Sequence, residues 1–440
     1  MSLFFFLKTV SKGLPASFPR RIREAIRRRD TSRWIFCLSV LLVFALPFHV
    51  EATRYLTGAL LAIWLLDALW HRSLSSLLDQ RLVWLLVLFY ALHVSSLLIS
   101  ANTKQAFGDL EHKLTLLLLP LAFASVGMME AKRKDLVLLS FVAGTLTVTV
   151  VSLAAFTVRL FDPDYLEYFL RFPLYNLYTD FSLFNHPSYY ALFLELSVIF
   201  GFYLLKRPGV PVGKGWLITI ILSFSGMVFL TSSRAGILSL LVIFGVTLLM
   251  YTRRRNRKLL WIGVLVLLGV LAMHNYRFSN YLDLAGKVTK GGKVETSELV
   301  KQDAIRLVLW DVALDLSREH LWFGRGTGDV QEALNREYQR RDLIKHLDRH
   351  YNPHNQYLST LMGLGLAGLF VLIALLLWPL IRGLRQGDYL AVAFILLYMS
   401  HFMFESMLSR SPGILSFAFF YSLLILNRRE TFPQPGSNRS

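Results

Sequence analysis

The residue types that could carry chemistry stand where apolar segments end. His354 follows Pro353 and precedes a long apolar run, so an imidazole stands where that run meets water. An imidazole titrates near neutral pH and can take a proton from a hydroxyl, which makes His354 a candidate base. A histidine with only a structural hydrogen bond would fit the same place. The other candidate histidines have less distinctive surroundings: His186, His346, His350 and His401.

Two arginines are candidates for holding an anion. Arg234 lies in a short polar hairpin, 231–236, between two apolar runs. A guanidinium beside lipid is costly unless it reaches the interface or binds an anion, and its planar fork matches phosphate oxygens. Arg306 lies four residues before Trp310 on an amphipathic helix predicted over 299–319. Alternatively, Arg234 only ends a membrane span, and Arg306 is a solvated arginine on the helix surface.

Weaker candidates complete the set. Lys113 and Arg410 are placed to contact a lipid phosphate, although most interfacial basic residues only lie at headgroup level. Residues that could orient a substrate are Asn355, Trp310 and His186. Asn355 fits the cap of the following helix equally well.

A glycine-rich stretch, GRGTG at 324–328, follows the outer helix. Its amides could cradle an anion, or the stretch could be a tight turn after a helix end. Asp329 and Glu332 fit a capping box for a second helix over 330–347.

Composition places these residues in a membrane protein. Of the 440 residues, 54% are hydrophobic and 17% are charged, against about 25% charged in an ordinary soluble domain. The net charge of +18 then indicates basic cytoplasmic loops rather than nucleic-acid binding. The single cysteine, Cys37, excludes an internal disulfide and a cysteine zinc site. We expect no metal and no cofactor.

The apolar runs predict an all-α protein of about twelve transmembrane helices. Two acids fall inside these runs, Asp67 and Glu195, and fit either helix–helix hydrogen bonds or a proton path. The predicted spans are 34–50, 55–70, 82–99, 114–129, 136–160, 187–205, 216–231, 235–251, 259–274, 357–381, 389–403 and 412–427.

The distribution of Lys and Arg predicts which side each loop faces. With both termini cytoplasmic, the inner segments carry 27 of the 47 basic residues and the short outer segments carry seven; the other 13 lie in 275–356. The long outer segment is therefore predicted to be periplasmic. The resulting division is a basic amphipathic cytoplasmic segment 1–33, helices 1–9 over 34–274, a mainly helical periplasmic domain 275–356, helices 10–12 over 357–427 and a cytoplasmic tail 428–440.

Several of these motifs together resemble one bacterial family. His354-Asn355, followed after nine residues by Gly365 and then by Gly368, resembles the C-terminal signature of the O-antigen ligase and polymerase superfamily. Arg234 with Leu238 is similar to the family's Arg-x-x-x-Leu signature. The stretch from Arg306 to the glycines at 324–328 looks like its periplasmic region, and the layout of spans looks like the ligase branch.

The resemblance implies a GT-C-like membrane glycosyltransferase of lipopolysaccharide biosynthesis in the Gram-negative inner membrane. Its donor would be a glycan on undecaprenyl pyrophosphate and its acceptor the lipid A–core, with no nucleic acid involved. His354 would be the base. Arg234 and Arg306 would act on the pyrophosphate, and the reaction would invert the anomeric carbon.

Two other functions remain open. An O-antigen polymerase of the same superfamily would lengthen the lipid-linked glycan. A lipid-linked glycan flippase, which is a transporter and not an enzyme, would need polarity at the membrane midplane, commonly with repeated halves. Only Asp67 and Glu195 supply such polarity, so the sequence favours an enzyme.

Overall fold

The computed structural model describes residues 31–48, 51–71, 81–126, 129–171, 180–231, 234–251, 305–341 and 351–427, with Leu343 and three isolated positions between 262 and 266. Every regular element in these residues is helical. The α-helices are α1 Thr31–Ala45, α2 Glu51–His71, α3 Arg81–Ser96, α4 Thr103–Val126, α5 Ala131–Arg159, α6 Pro163–Arg171, α7 Pro187–Leu204, α8 Lys214–Leu230, α9 Arg234–Tyr251, α10 Ile305–Glu319, α11 Val330–Arg340, α12 Gln356–Gln386, α13 Tyr389–Phe404 and α14 Ser411–Tyr421.

Eleven of the twelve predicted apolar segments fall on helices, which confirms the all-α prediction for the described residues. The ninth, 259–274, lies almost wholly outside them. Four helices are both long and apolar enough to cross a membrane: Thr31–Phe48, Ala131–Arg159, Pro187–Leu204 and Gln356–Gln386. Five others are shorter apolar helices, and α2 and α4 are long but fall in neither group. The count of twelve spans therefore stays a prediction, as does the periplasmic domain. The proposed amphipathic segment before residue 31 lies outside the described residues.

Helix α7 lies at the centre of the bundle. All but one of its residues are buried, and it packs against α5, α8, α9 and α13. Its apolar sequence has no polar face, which is typical of a helix surrounded by protein. Edge-to-face aromatic contacts, such as Phe141 with Phe193 and with Phe420, fill the space between α5, α7 and α14. The bundle therefore holds the N-terminal ends of α7 and α9 and the C-terminal end of α13 in one neighbourhood; we call these the outer ends, after the side that the sequence predicts for them.

The outer helices α10 and α11 form a small second core over α12. Leu309, Val312 and Leu334 are buried in it. The guanidinium of Arg341 binds carboxylates of both helices, at 2.8 Å to Asp311, 2.6 Å to Asp315 and 2.6 Å to Glu337. The structure corrects two details of this region. Helix α11 ends at Arg340 rather than at 347, because Arg341 leaves helical geometry.

The second correction concerns Asp329, which makes no capping hydrogen bond to its own helix. Its carboxylate instead accepts from the amides of Ala101 at 2.7 Å and Asn102 at 2.8 Å, in the turn between α3 and α4. The side chain therefore joins the outer helices to the membrane bundle, an acceptor role that sequence spacing alone does not reveal.

Helix α12 is broken at Gly365, where φ is 65° and ψ is −162°. The break frees two carbonyls and two amides that a continuous helix would pair with each other. The turn after α10 satisfies all four: Arg325 N to Met362 O 2.9 Å, Gly326 N to Gly363 O 3.1 Å, Leu366 N to Leu321 O 2.8 Å and Ala367 N to Trp322 O 3.1 Å. The glycine-rich stretch is thus a docking segment for the broken helix.

This pairing leaves no room for side chains at two glycines. A Cβ on Gly324 would overlap the backbone of Gly363, and one on Gly365 would overlap the backbone of Trp322. The amides of Gly324, Arg325, Gly326 and Gly328 already have protein acceptors. The tight-turn interpretation of the glycines is therefore favoured over the anion cradle.

We predict that Gly365→Ala destabilises the protein strongly. A positive φ costs a residue with a Cβ on the order of 1–3 kcal/mol, and the overlap with Trp322 adds to that cost. Gly58→Ala is the matched control, because a Cβ there meets nothing within 4 Å. The unfolding temperature in detergent measures both. An unchanged temperature for Gly365→Ala would contradict the proposed fit.

Candidate active site

His354 stands in a strained backbone position at the outer end of α12. Its φ of 46° makes it the one non-glycine residue in the described part of the chain with a positive φ. The Oδ1 of Asn352 accepts its amide at 2.8 Å and stabilises this turn. Such strain persists where the surroundings fix the backbone, and it is common at functional sites. The side chain of His354 stays 22% exposed.

A buried carboxylate holds the imidazole. The Nδ1 of His354 lies 3.0 Å from Oε1 of Glu405, whose side chain is only 6% exposed. The same oxygen accepts the amide of Ser406 at 3.1 Å. An ionised carboxylate can only accept, so Nδ1 carries the proton and Nε2 keeps its lone pair. The imidazole is thereby oriented with its basic nitrogen away from Glu405.

Basic side chains surround Glu405. Burial alone would raise the pKa of this carboxyl, but the hydrogen bond from His354 and the electrostatic interactions with His354, Arg306 and His186 lower the pKa to about 2. Glu405 is therefore ionised at neutral pH. One carboxylate oxygen of Glu405, Oε2, has no hydrogen-bond partner among the described residues. The negative charge on this oxygen is therefore compensated by nearby basic side chains and not by a hydrogen bond.

His186 caps α7 beside this group. Its ring accepts the amide of Ser188 at 3.4 Å, which requires a neutral imidazole nitrogen. Burial lowers the pKa of His186, and the charges of His354, Arg410 and Arg306 lower it further, whereas Glu405 raises it. Arg306 and Arg410 are thus close enough for the charges of both to act on His186. Their charges outweigh that of Glu405, which suits an anion.

Trp310 and Asn355 fix the loop that carries His354. The indole Nε1 of Trp310 donates to the carbonyl of Pro353 at 3.0 Å, and its ring lies 6.5 Å from that of Phe404. Asn355 caps α12 by accepting the amide of Leu358 at 3.1 Å. Its amide group also donates to the carbonyl of Met403 at 3.2 Å. Both residues connect α12 with the end of α13.

The structure thus brings together four residues singled out in the sequence, His354, Arg306, Arg410 and His186. The side chain of Arg234 lies outside the described residues, although its backbone begins α9. Lys113 is placed elsewhere: it is buried and lies 3.5 Å from Asp109. This contact does not join it to the Glu405 group.

Sequence reasoning missed Glu405. The sequence signal for Glu405 was its position as the one acidic residue in the short predicted outer loop 404–411, which also contains Arg410. Nothing in its spacing connects it with His354, 51 residues earlier. The contact depends on how α13 lies against α12.

Comparison with known families adds an independent observation. Residues 218–373 match the family model described as O-antigen ligase. The resemblance predicted from the sequence is confirmed. The segment that matches this family runs from α8 into α12 and includes Arg234, Arg306 and His354. Glu405, Arg410 and His186 lie outside it. No curated protein matches the chain. With its apolar helices, the chain is a multi-pass membrane protein.

We predict that acid destabilises the wild-type protein through Glu405. Its pKa is lowered in the folded state to about 2, so the stability it contributes is full above the unfolded pKa and is lost as the pH falls from about 4.5 to 2. Glu405→Gln should flatten this loss, whereas Glu51→Gln, at an exposed ion pair with Arg54, should not. Unfolding temperatures measured from pH 6 to 2.5 test this. Parallel curves for wild type and Glu405→Gln would contradict it.

Proposed function

We propose that this protein is an O-antigen ligase. It transfers a glycan from undecaprenyl pyrophosphate to the lipid A–core of lipopolysaccharide at the periplasmic face of a Gram-negative inner membrane. The observation that carries the proposal is the hydrogen bond between His354 and the buried Glu405. The charge of Arg306 acts on Glu405, and the charges of Arg306 and Arg410 both act on the neighbouring His186. This arrangement supports a base next to positive charge that suits an anion, in a chain whose residues 218–373 match the O-antigen ligase family model.

The reaction follows from these groups. The acceptor hydroxyl oxygen attacks the anomeric carbon of the donor sugar, and its proton passes to Nε2 of His354. The bond between the anomeric carbon and the phosphate oxygen breaks, and the pyrophosphate leaves with the electron pair. One such displacement inverts the anomeric carbon. Glu405 stabilises the imidazolium that forms, as a carboxylate does in a serine hydrolase triad.

The arginines act on the leaving group. Negative charge grows on the phosphate oxygen as the bond breaks, and guanidinium groups held nearby stabilise that charge. Arg306 and Arg410 are supported in this role because the charges of both act on His186. Arg234, at the start of α9, is proposed as a third. The donor carries its own leaving group, so neither nucleotide nor metal is required.

The donor lipid is proposed to lie along α3 and α4. An open apolar groove there is lined by Val87, Val94, Leu98 and Leu117. Leu117 is one turn from Lys113, so both lie on one helix face. The groove would hold the lipid chain of the donor, whereas its pyrophosphate would lie at the arginines and not at Lys113, which pairs with Asp109. The excess of basic residues in the predicted inner loops supports cytoplasmic termini.

The direct test uses purified protein, an undecaprenyl-pyrophosphate glycan and lipid A–core, without metal or nucleotide. Glycan joined to the core, seen by gel and mass, supports the ligase. Longer lipid-linked glycan without core product would instead mean a polymerase. Movement of an intact donor across the membrane without covalent product would mean a transporter.

We predict that His354→Ala lowers kcat by about 10²–10⁴-fold, the range that a general base contributes. Glycan transfer at saturating donor is the measurement. His320→Ala is the matched control, since His320 is an exposed histidine just after α10 and should leave kcat unchanged. Equal activity of His354→Ala and wild type would refute the base assignment.

Arg306 is tested against another arginine of the same helix. Arg306→Ala should lower kcat/KM for the donor by about 10-fold to 10²-fold, because a charge-assisted contact to phosphate is lost. Arg318→Ala removes an exposed side chain paired with Asp315 and should have no such effect. The two variants are compared by initial rates over a range of donor concentrations. If both lower the rate equally, Arg306 has no specific role.

A further inference from the structure

A second polar group lies inside the bundle, and the proposed reaction does not use it. Glu195 of α7, Ser239 of α9 and His401 of α13 are each fully buried. One carboxylate oxygen of Glu195 lies 2.6 Å from Nε2 of His401, and the other lies 2.6 Å from Oγ of Ser239. Three apolar helices are thus joined by side-chain hydrogen bonds at a single level.

Counting protons shows how the group is satisfied. Oγ of Ser239 is also 2.6 Å from the carbonyl of Ala235, which requires the hydroxyl proton. The contact between Oγ and Glu195 then takes its proton from the carboxyl. Nε2–H of His401 supplies the third bond. A protonated Glu195 and a neutral His401 therefore account for these three contacts.

The alternative charged pair fits less well. An imidazolium would carry a proton on Nδ1 as well, and Nδ1 of His401 is buried with no partner among the described residues. An unsatisfied buried donor costs more than an unused lone pair. The geometry therefore favours an uncharged, hydrogen-bonded cluster, which is also the form that an apolar interior tolerates best.

The cluster lies just below the candidate site. His401 precedes Glu405 by four residues, Ser239 follows Arg234 by five and Glu195 follows His186 by nine. At a rise of about 1.5 Å per residue these separations are roughly 6 to 14 Å along each axis. The three joined helices are therefore the ones whose outer ends present Glu405, Arg234 and His186.

We propose that Glu195, Ser239 and His401 are positioning residues for the candidate site. Apolar helix faces can slide along each other with little change in contact, whereas a hydrogen bond between buried groups fixes one axial register. The cluster sets the relative heights of α7, α9 and α13, and so the placement of Glu405, Arg234 and His186. Its effect on catalysis rests on the proposed function, but its effect on helix register does not.

The same helices supply a matched control. At its inner end, α9 is joined to α13 by a hydrogen bond of 3.0 Å between Thr247 and Tyr389, both buried. Thr247→Val removes a buried interhelical bond between two of the three helices, far from the outer ends. The Thr247→Val variant therefore shows how the loss of a buried interhelical hydrogen bond affects the protein when the candidate site is not displaced.

The kinetic experiment compares four variants in the full-length protein. Glu195→Ala and Ser239→Ala should lower kcat by about 10-fold to 10²-fold, as small misplacements of reacting groups do, and change KM for the donor less. Glu195→Gln keeps an uncharged hydrogen-bond donor and acceptor at residue 195, so its kcat should stay within about threefold of the wild-type value. The kcat of Thr247→Val should stay within the same range. Ser239→Ala, the smaller change, keeps the test valid if Glu195→Ala does not fold.

A measurement without substrate separates this inference from the proposed function. Spin labels at the exposed positions Leu183 and Met403, with Cys37→Ser, report the distance between the outer ends of α7 and α13. The distribution should broaden or shift in Glu195→Ala and Ser239→Ala, and stay unchanged in Glu195→Gln and Thr247→Val. That pattern in a protein without transferase activity would reject the ligase and keep the positioning role.

Two results would overturn the positioning role. One is folded Glu195→Ala and Ser239→Ala variants with wild-type kcat and unchanged label distances. The other is Glu195→Gln as damaging as Glu195→Ala, since that result would require a charged group at residue 195.

Discussion

The arrangement of the outer ends depends on one buried negative charge. A carboxylate removed from water is strongly unfavourable unless hydrogen bonds and opposite charges compensate it. Glu405 receives this compensation from His354 of α12, from the histidine that caps α7 and from Arg306 of α10. Three separate segments must therefore converge at the end of α13. Removal of any one of them would leave the carboxylate less compensated.

Backbone hydrogen bonds hold two of these segments, α10 and α12, together. Helix α12 gives up its own hydrogen bonds around Gly365 and replaces them with bonds to the turn after α10. The indole of Trp310 then ties α10 to the loop before α12. The outer helix is thus held to α12 at two points, on either side of the segment that begins with His354. Arg306 lies one helical turn before Trp310, beside the first of these points.

Sequence reasoning succeeded where a one-dimensional pattern is sufficient. Apolar runs of span length located eleven helices, and the position of His354 at a boundary was recognisable from its neighbours alone. It failed where function depends on a partner far along the chain. Glu405 and the pairing of His401 with Glu195 arise from the packing of α13, and the same spacing in sequence fits many other arrangements. Asp329 likewise looked like a local cap and instead contacts a turn over 200 residues away.

The break in α12 also affects how deep His354 lies relative to the bilayer. Its 31 residues would reach well beyond the bilayer's hydrocarbon, which is about 30 Å thick, whereas residues 366–386 alone, at about 1.5 Å each, match that thickness. The helical turns before the break, which follow His354, are not needed to cross the hydrocarbon. For the proposed transfer, this geometry puts bond exchange at the level of the lipid headgroups. A long hydrophilic glycan could then change carriers while staying in water, and its lipid carrier need not leave the bilayer.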